Sequence, residues 1–517
     1  MSSLSKIRAN GSIGVVGAGI SGLTYAYFVS KIRPDLKITI FDKSEKVGGW
    51  IQTAELFDDN THEIIKLDKG PRSLRGVSDG TLVILDILKK LGHGDQIKVI
   101  NSKSKGNRKY LLNSNYEIMP LPHDLKSHLK ASKMGMFSGI ISKVLTEPFR
   151  KIKKDSQDES IDSFFKRRFG STIITDKILS AIIHGIYAGD TSKLSIKIFS
   201  RLQNFEQQGS IITSMIKLLF KPKEEPKLTP TLQIYETKFG GDLMTLSNNL
   251  KGNPMVVFKD SLSLFPRVMA DFLKTNGNIK FVMGSDISAI STDGTITNNG
   301  ESIEFDHVRS TIDVKQLSKL INSQELKEDF EKIQYVSIFM ANVYTKQRII
   351  PSDAEGFGFL VPRISHNKEF LLGTIFDSSI ASYCTTLGSN DAEKTSYDKM
   401  TMMFGGHFFD TIPSTRLSLK AVEVTLNKVF GIENKNLIFR DEANASSDTI
   451  ELKDEDILIS YNLHKNCIPQ YNVGYEEIKT NVLNQLNGTK LSLGGMCFGN
   501  GVGVPDCVIN SLQDALK

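Results

Sequence analysis

Three glycines and one acid near the start of the chain have the types and spacing of a nucleotide-binding turn. Gly17, Gly19 and Gly22 follow the apolar residues 13–16, and Asp42 ends a second apolar run twenty residues after Gly22. Gly17 allows a tight turn, Gly19 lets the backbone approach a diphosphate, and Gly22 lets a helix pack closely on a strand. Unpaired N–H groups at the start of that helix attract phosphate oxygens, and the Asp42 carboxylate suits ribose hydroxyls. The pattern predicts a dinucleotide site in a βαβ unit; the alternative is a glycine-rich turn in another fold.

Two further glycine clusters indicate which dinucleotide binds. Gly48 and Gly49 follow the acid closely, and an extended flavin nucleotide needs a second close approach of the backbone. The tail reads as a strand at 491–493, a glycine-rich loop and a closing helix. We therefore expect both chain ends to meet at one cofactor, and FAD is favoured over a nicotinamide nucleotide.

Other candidate side chains carry weaker signals. Arg72 and Arg75 follow a predicted strand and the Gly70-Pro71 turn. Arginines there suit a diphosphate or a carboxylate, and the alternative is two solvated loop arginines. His464 and Cys467 are only two potential ligands, so they are interpreted as structural and no metal site is predicted. The four cysteines form no CxxC pair, which favours free thiols in a reducing compartment.

The totals limit the architecture and the partners. A chain of 517 residues is too long for one simple core, so two or three structural units are expected. The net charge of +6 is spread along the chain, and no basic helix is interleaved with aromatic residues, which argues against nucleic acid. Eighteen apolar residues never follow one another, so no membrane-spanning helix is expected.

One basic and apolar segment indicates a membrane surface. Residues 121–154 contain eight basic and two acidic residues, with Leu, Met, Phe and Ile between them. A helix of that composition could lie on an anionic membrane, and a basic solvated face over a core explains it equally well. Residues 211–221 form a second such stretch before a linker at 221–230 rich in Pro, Lys and Glu, which is the clearest domain boundary.

The predicted elements place these motifs in a fold. We expect helices at 81–91, 161–170, 178–190 and 265–274, and a hairpin at 108–120. Strands at 279–283 and 286–290 are expected to return to the first sheet, whereas 339–344, 357–361, 370–376 and 400–404 belong to a separate sheet. The predicted fold class is α/β (α+β multidomain): a Rossmann-like FAD-binding domain with an inserted mixed-sheet substrate domain and a helical membrane-associating region. The FAD-binding domain is predicted at 1–90, 231–310 and 471–517, and the substrate domain at 311–470. Residues 91–230 form the helical region, which is also expected to line the substrate site.

The glycine turns, Trp50 and the Gly70-Pro71-Arg72 turn resemble the flavin amine oxidase superfamily. Within it, three stretches resemble the protoporphyrinogen oxidase family, most closely the mitochondrial enzymes of fungi and animals. These are Leu-His-Lys-Asn-Cys-Ile-Pro-Gln-Tyr at 463–471, Gly-Phe-Gly-Phe-Leu-Val-Pro at 356–362 and His-Gly-Ile-Tyr-Ala-Gly at 184–189. The resemblance covers nearly the whole chain.

The resemblance implies two sets of site residues. The residues that would contact FAD are Gly17, Ala18, Gly19, Ile20, Ser21, Gly22, Asp42, Trp50, Gly70, Pro71, Arg72, Ser73, Ile287, Met496, Val502, Gly503 and Val504. The residues that would contact the substrate are Arg108, as the partner of a propionate, and Gly185, Phe357, Leu360, Ile375 and Met403. Three positions depart from the family pattern: Asp42 replaces a glutamate, the loop around Met496 is one residue longer than in animal relatives, and His184 replaces an arginine.

The activity implied by the resemblance is FAD-dependent oxidation of protoporphyrinogen IX to protoporphyrin IX, the penultimate step of haem biosynthesis. Six electrons would leave in three two-electron steps, with dioxygen as acceptor and hydrogen peroxide as product, and no residue would act as a dedicated acid or base. The resemblance also implies the mitochondrial inner membrane, monotopic association, a homodimer and transient contact with ferrochelatase. Two alternatives stay open: another enzyme of the superfamily, such as an amine oxidase or a carotenoid desaturase, and a flavin-free lipid-binding protein of the same fold.

Overall fold

The computed structural model describes residues 4–153, 157–221, 227–365, 368–389, 391–433, 436–445 and 447–517. Its strands are β1 Ser12–Val16, β2 Lys37–Phe41, β3 Thr53–Asp58, β4 Glu63–Asp68, β5 Leu74–Arg75, β6 Ile97–Ile100, β7 Lys109–Leu112, β8 Ile118–Pro120, β9 Met255–Phe258, β10 Ile279–Val282, β11 Ile287–Ile290, β12 Thr295–Asn298, β13 Glu301–Glu304, β14 His307–Ser310, β15 Tyr335–Thr345, β16 Gly358–Leu360, β17 Leu371–Ile375, β18 Thr385–Thr386, β19 Asp398–Gly406, β20 Leu437–Asp441, β21 Thr449–Ile450, β22 Ile457–Pro469 and β23 Leu491–Leu493. Its helices are α1 Ile20–Ile32, α2 Asp79–Lys90, α3 Leu125–Lys133, α4 Ile140–Thr146, α5 Ile161–Phe169, α6 Ser180–Tyr187, α7 Ser200–Gln207, α8 Ile211–Phe220, α9 Pro230–Phe239, α10 Leu243–Asn249, α11 Leu264–Lys274, α12 Val314–Leu320, α13 Gln324–Lys332, α14 Asp377–Tyr383, α15 Thr415–Phe430, α16 Tyr475–Gln485 and α17 Val504–Ala515.

A five-stranded parallel sheet is assembled from three distant parts of the chain, in the order β10-β2-β1-β14-β23. The predicted βαβ unit is formed by β1, α1 and β2, and α1 begins directly after the glycine turn. Helix α17 packs against α1, and the Ser511 hydroxyl donates to the carbonyl oxygen of Ser21 at 2.9 Å. The two ends of the chain therefore meet at this sheet, and their meeting at one cofactor stays a prediction.

An eight-stranded mixed sheet, ordered β20-β22-β15-β19-β17-β16-β7-β8, contains the strands that were predicted to form a separate sheet. Side chains alternate between the two faces of each strand. One face packs with helix α15 in a buried apolar core that includes Met400, Met402 and Phe404. The other face carries Met403 and Leu360 and is approached by helix α6. We refer to this second face as the site face.

Two predictions about local structure are corrected. Residues 286–290 do not return to the first sheet, because β11 pairs antiparallel with β12 in a separate sheet, β11-β12-β13. Gly284, with a φ of 62°, turns the chain between β10 and β11. The basic and apolar stretch at 128–145 is not one continuous helix, because α3 and α4 are separated by Gly135 and Gly139, which both have positive φ.

The hairpin at 108–120 forms as predicted, and its strands β7 and β8 join the edge of the eight-stranded sheet. Of the predicted linker at 221–230, residues 222–226 lie outside the described residues, and α9 begins at its last residue, Pro230. The domain boundaries themselves stay predictions.

A buried ion pair holds the helices around α4, α5 and α8 together. The Arg168 guanidinium and the Glu147 carboxylate are fully buried and in contact. Glu147 also accepts from the Ser210 hydroxyl at 2.5 Å and from the Ile211 N–H at 3.1 Å, at the start of α8. Removing one partner of such a pair costs about 3–5 kcal/mol, because the other charge stays buried. Within the described ranges, no helix has the length and apolar character to cross a bilayer.

Candidate active site

The glycine turn after β1 is fixed by the acid at the end of β2. Gly17 has a φ of 109°, a conformation that favours glycine. Asp42 accepts the Ala18 N–H on Oδ2 at 2.7 Å and the Ser44 N–H on Oδ1 at 2.8 Å. Each carboxylate oxygen retains a lone pair for a further donor. Asp42 can therefore hold the turn and still accept from a ribose hydroxyl.

The Gly48-Gly49 pair lies directly against this turn. The Gly48 N–H donates to the Ala18 carbonyl oxygen at 2.9 Å, and Gly48 forms a parallel bridge with Gly19. A Cβ added to Gly49 would lie 3.1 Å from the Cα of Gly19, and Gly49 has a φ of 59°. The two glycine turns therefore lie in direct backbone contact, and the close approach of Gly48 and Gly49 to a flavin nucleotide stays a prediction.

The C-terminal loop brings another helix start to the same region. The Gly503 N–H donates to Asp506 Oδ2 at 3.1 Å, and burial raises the pKa of Asp506. A Cβ at Gly80 would lie 1.9 Å from the Pro505 carbonyl oxygen, so the starts of α2 and α17 touch. Among the remaining predicted FAD-contacting residues, Ile20 begins α1, Ser21 and Gly22 follow it, Ile287 begins β11 and Val504 begins α17.

Arg72 is buried beyond the Gly70 turn, and two of its nitrogen atoms form no hydrogen bond among the described residues. It is 8% exposed, and its Nε lies 3.4 Å from Asp377 Oδ1. Its Nη2 donates to the Gly70 carbonyl oxygen at 3.2 Å, whereas Nε and Nη1 form no hydrogen bond within the part of the chain that the structure describes. Leaving buried donors unsatisfied is costly. The position therefore fits a ligand that brings its own acceptor atoms.

Trp50 and His464 connect the glycine turns to the site face. Their rings form a T-shaped contact with centroids 5.4 Å apart. His464 lies opposite Ile338 on β15, and Met340 follows two residues later on the same face. Arg72 Nη2 lies 3.8 Å from the Met340 sulfur. Trp50 and Arg72 thus rest on the β15–β22 part of the site face.

Leu360, Met403 and Gly185 adjoin the same face. Gly373 lies opposite Leu360 and Met403 on its two neighbouring strands, and Met403 lies opposite Met340. From Leu360 to Met340 this row spans three strand spacings, roughly 14 Å. A Cβ would lie 3.0 Å from the Leu360 side chain if added at Gly185, and 2.8 Å if added at Gly373. Leu360 is therefore seated between two glycines, one on α6 and one on β17.

Phe357 and Ile375 lie next to this row. Ile375 lies opposite Gly358, two residues along β17 from Gly373 and on the same face. Both side chains are partly buried and pack against one apolar cluster, which consists of Ile100, Met255, Val257, Ile380 and Cys384. They form an apolar wall next to the Leu360 row.

Arg108 is not brought into the row. Its carbonyl oxygen accepts from the Phe357 N–H at 2.7 Å. Its guanidinium lies beside the hydroxyl of Tyr110, whose ring belongs to the core on the opposite face of the sheet. Lys109, opposite Gly358, is the residue that shares the site face by register. Pairing of Arg108 with a propionate stays a prediction.

Sequence reasoning missed the polar network that holds Arg72. The Thr401 hydroxyl lies 2.8 Å from Asp377 Oδ2 and 2.6 Å from Asn342 Oδ1, and Asn342 Nδ2 donates to the Asp68 carbonyl oxygen at 3.1 Å. These contacts fix Asp377 beside Arg72. The position of Asp377 just after a strand was the only signal in the sequence.

A histidine pair near Gly185 was also missed. His184 Nδ1 lies 2.7 Å from the Val361 carbonyl oxygen, and its Nε2 lies 2.9 Å from Nε2 of His407. A carbonyl only accepts, so Nδ1 of His184 carries the proton and His407 donates to His184. Burial lowers the pKa of His184 to about 4, and also lowers the pKa of His407. The pair is therefore uncharged at neutral pH.

Comparison with known proteins places this site in a family. Residues 15–91 match the model of the NAD(P)-binding Rossmann-like domain. The protoporphyrinogen oxidase of Saccharomyces cerevisiae is 34% identical over an alignment of 550 positions, which covers 99% of this chain and 99% of the yeast protein. The chain belongs to the protoporphyrinogen oxidase family. The protoporphyrinogen oxidase of Schizosaccharomyces pombe is 28% identical over 98% of each protein. The crystal structure of a candidate protoporphyrinogen oxidase from Exiguobacterium shares the fold, with a TM-score of 0.69 and 18% identity over 98% of each chain.

Family membership and the Rossmann fingerprint identify FAD as the cofactor. The geometry of the chain fits this group. Nη1 of Arg72 forms no hydrogen bond within the described residues, and Nε has only an ion-pair contact with Asp377 at 3.4 Å. A Cβ at Gly19 would meet only the Cα of Gly49, 3.8 Å away. Gly19 is extended, with a φ of −74° and a ψ of 178°, so the backbone itself does not require glycine there. The absence of a side chain at Gly19 therefore leaves room for a ligand.

Proposed function

We propose that this protein oxidises protoporphyrinogen IX to protoporphyrin IX with bound FAD. The observation that carries the proposal is the continuous row on the site face. Trp50 and Arg72 lie over its β15–β22 end, and Leu360, Met403 and Gly185 adjoin its β16–β19 end. A large apolar macrocycle requires such a wall directly beside its cofactor.

Gly17, Gly19 and Asp42 would hold FAD at the first glycine turn, and the bound cofactor would supply the redox chemistry, namely hydride acceptance from a bridging carbon of the ring and reoxidation by dioxygen. Three such rounds convert one protoporphyrinogen and three dioxygen molecules into one protoporphyrin and three hydrogen peroxide molecules. The residues of the chain orient the ring and exclude water from it. We assign no acid or base to the chain, because the cofactor carries the redox chemistry. Burial lowers the pKa of His464, whose ring contacts Trp50, to about 4, so this histidine is uncharged at neutral pH.

The direct test measures porphyrin and peroxide together. Purified holoprotein under air should convert protoporphyrinogen into fluorescent protoporphyrin faster than autoxidation, with three peroxides formed per porphyrin. Heat-inactivated protein gives the background. Oxidation of a polyamine without oxidation of the porphyrinogen would support an amine oxidase instead, and a purified protein without flavin absorbance would support a flavin-free lipid-binding protein.

We propose that the substrate contacts are Gly185, Phe357, Leu360, Ile375 and Met403, with a cation near β7 for a propionate. Arg108 is the family-based candidate, and Lys109 is the candidate by strand register. A guanidinium can bind a carboxylate through two parallel hydrogen bonds, whereas an ammonium acts as a point charge. Single alanine variants at both positions distinguish the two candidates.

We further propose that the protein lies on a membrane surface through α4 and α8. Ile141, Leu145 and Phe149 recur every four residues and are 63%, 68% and 88% exposed. Leu219 and Phe220 at the end of α8 are 81% and 82% exposed. Lysines and arginines between them would attract anionic headgroups. We name these five residues the apolar rim.

A groove of about 810 Å³ beside α3 supplies further positive charge for anionic headgroups, because Lys126, Lys130 and Lys133 line it together with Leu129 and Ile118. The test is co-sedimentation with phosphatidylcholine vesicles, with and without an anionic phospholipid. The double variant Leu145→Glu, Phe149→Glu should lose binding, because two exposed apolar side chains become charged. Leu417→Glu is the matched control, because Leu417 is 64% exposed and lies on α15, outside the proposed membrane surface. Undiminished binding by the double variant would reject this surface.

The mitochondrial inner membrane, a homodimer and transient contact with ferrochelatase complete the proposal, and their support is family membership alone. Fractionation of mitochondria, measurement of the mass in solution and crosslinking to ferrochelatase test them separately.

A further inference from the structure

Three side chains spaced four residues apart hold the C-terminal loop. The hydroxyls of Tyr471 and Tyr475 and the ammonium group of Lys479 each donate to a different carbonyl oxygen of that loop. The acceptors are, in the same order, the carbonyl oxygens of Met496, Cys497 and Gly499, the last at 2.8 Å.

The spacing follows from helix geometry. Tyr475 begins α16 and Lys479 follows one turn later, so both lie on one face of the helix. Tyr471 precedes the helix, and its ring stacks on that of Tyr475 with centroids 4.6 Å apart. Burial raises the pKa of both tyrosines well above its usual range, so the hydroxyls stay protonated and can donate.

These bonds also determine where the amides of the loop point. In a trans peptide the N–H points opposite to the C=O of the same unit. Holding the carbonyls of residues 496 and 497 against α16 therefore turns the N–H groups of residues 497 and 498 away from it. Those two N–H groups have no hydrogen-bond partner among the described residues. On the other flank of the loop, a Cβ at Gly495 would lie 3.9 Å from the Ser21 hydroxyl of the first glycine turn.

We propose that Tyr471, Tyr475 and Lys479 are positioning residues that fix the peptides of loop 495–499 so that their amides favour reduced FAD over oxidised FAD. The inference rests on the proposed assignment of Met496 to the cofactor site. Reduction adds negative charge to the cofactor, and fixed N–H dipoles stabilise added charge without reorganisation. Loosening any of the three bonds weakens that preference.

The test is the midpoint potential of the bound FAD, measured against a reference dye without porphyrinogen. Tyr471→Phe, Tyr475→Phe and Lys479→Met should each lower the potential, and Lys479→Arg should restore it by supplying a donor again. A tenfold loss of preference for the reduced cofactor corresponds to about 30 mV for a two-electron couple. Tyr235→Phe is the matched control. It also removes a buried tyrosine hydroxyl, but that hydroxyl donates to Asp86 Oδ2, at 2.6 Å, and not to the loop.

Unchanged potentials in the FAD-loaded loop variants would overturn the inference, and so would an equal shift in the Tyr235 control. If a tyrosine variant fails to fold, the comparison of Lys479→Met with Lys479→Arg decides. Because the measurement contains no porphyrinogen, a protein without oxidase activity would reject the proposed function and leave this inference standing.

Discussion

Gly19 and Gly22 belong to one motif, yet the structure predicts different outcomes for the same substitution. A Cβ at Gly19 would meet only Gly49 Cα at 3.8 Å, which is an ordinary contact. A Cβ at Gly22 would lie 1.9 Å from the Gly17 carbonyl oxygen and cannot be accommodated without moving α1. Gly19→Ala should therefore affect the ligand, and Gly22→Ala should affect the fold.

The magnitudes can be estimated separately. At Gly19 the extended backbone suits alanine, which gains about 0.4–1 kcal/mol by restricting the unfolded chain and loses a similar amount, roughly 0.5–1 kcal/mol, as a poorer helix N-cap. The apoprotein should thus keep its stability. A methyl group that displaces one hydrogen bond to a charged phosphate costs about 1.5–3 kcal/mol, or about 10- to 100-fold in the Kd for FAD. At Gly22, forcing a methyl into a packed contact costs about 1–3 kcal/mol of folding stability.

The assay pairs two measurements on the apoprotein: titration with FAD, followed by flavin fluorescence, and thermal unfolding with and without FAD. Gly19→Ala should unfold like the wild type when FAD is absent and gain less stability when FAD is added, since stabilisation by a ligand follows its Kd. Gly22→Ala should unfold earlier in both conditions. The reasoning fails if Gly19→Ala binds FAD as tightly as the wild type, or if its apoprotein is clearly less stable.

Three further outcomes are expected. Gly185→Ala should raise the KM for protoporphyrinogen without changing the flavin spectrum, because the new methyl group would lie 3.0 Å from the Leu360 side chain. Gly277→Ala is the control and should change neither quantity, because its methyl group would meet nothing within 4 Å. Arg108→Ala should raise the KM for protoporphyrinogen if the family-based assignment holds. A rise seen only in Lys109→Ala would assign the propionate to Lys109 on the site face. The FAD content of both variants is the control. His184 has a pKa of about 4 in the fold and 6.5 when unfolded, so its contribution to stability is complete above pH 6.5 and is lost as the pH falls towards 4. Denaturant unfolding between those pH values should show this loss, and His184→Gln should show a shallower one.

The distance between interacting residues along the chain decides how much the sequence can predict. The first βαβ unit is predictable because Gly17, Gly22 and Asp42 act on neighbouring segments, and Gly22 is required by a contact only five residues away. The alternating strands of the eight-stranded sheet are predictable for the same reason. Their order is not, because the hairpin at 108–120 pairs with a strand that begins at Gly358.

The candidate site shows the same limit more strongly. Arg72 was found because an arginine after a strand end is a local signal, but its contact with Met340 joins residues 268 positions apart. Asp377 is an ordinary acid in the sequence, and its role appears only when Thr401 and Arg72 lie on either side of it. Arg108 shows the opposite case, in which a role is assigned from a resemblance and not from a local signal. The family resemblance supplied its role, which stays a prediction, and the structure places its guanidinium beside the Tyr110 hydroxyl.

Strand β19 explains how one sheet can support both a core and a catalytic wall. Met400, Met402 and Phe404 are buried on the α15 face, while Thr401 and Met403 alternate with them on the site face. Thr401 fixes Asp377 beside Arg72, and Met403 continues the row towards Leu360. Because the period of a strand is two, neither face can slip without moving the other. The packing of α15 on one face therefore sets the register of the polar network and the apolar wall on the other, so the precision of the proposed site depends on the core on the opposite face of the sheet.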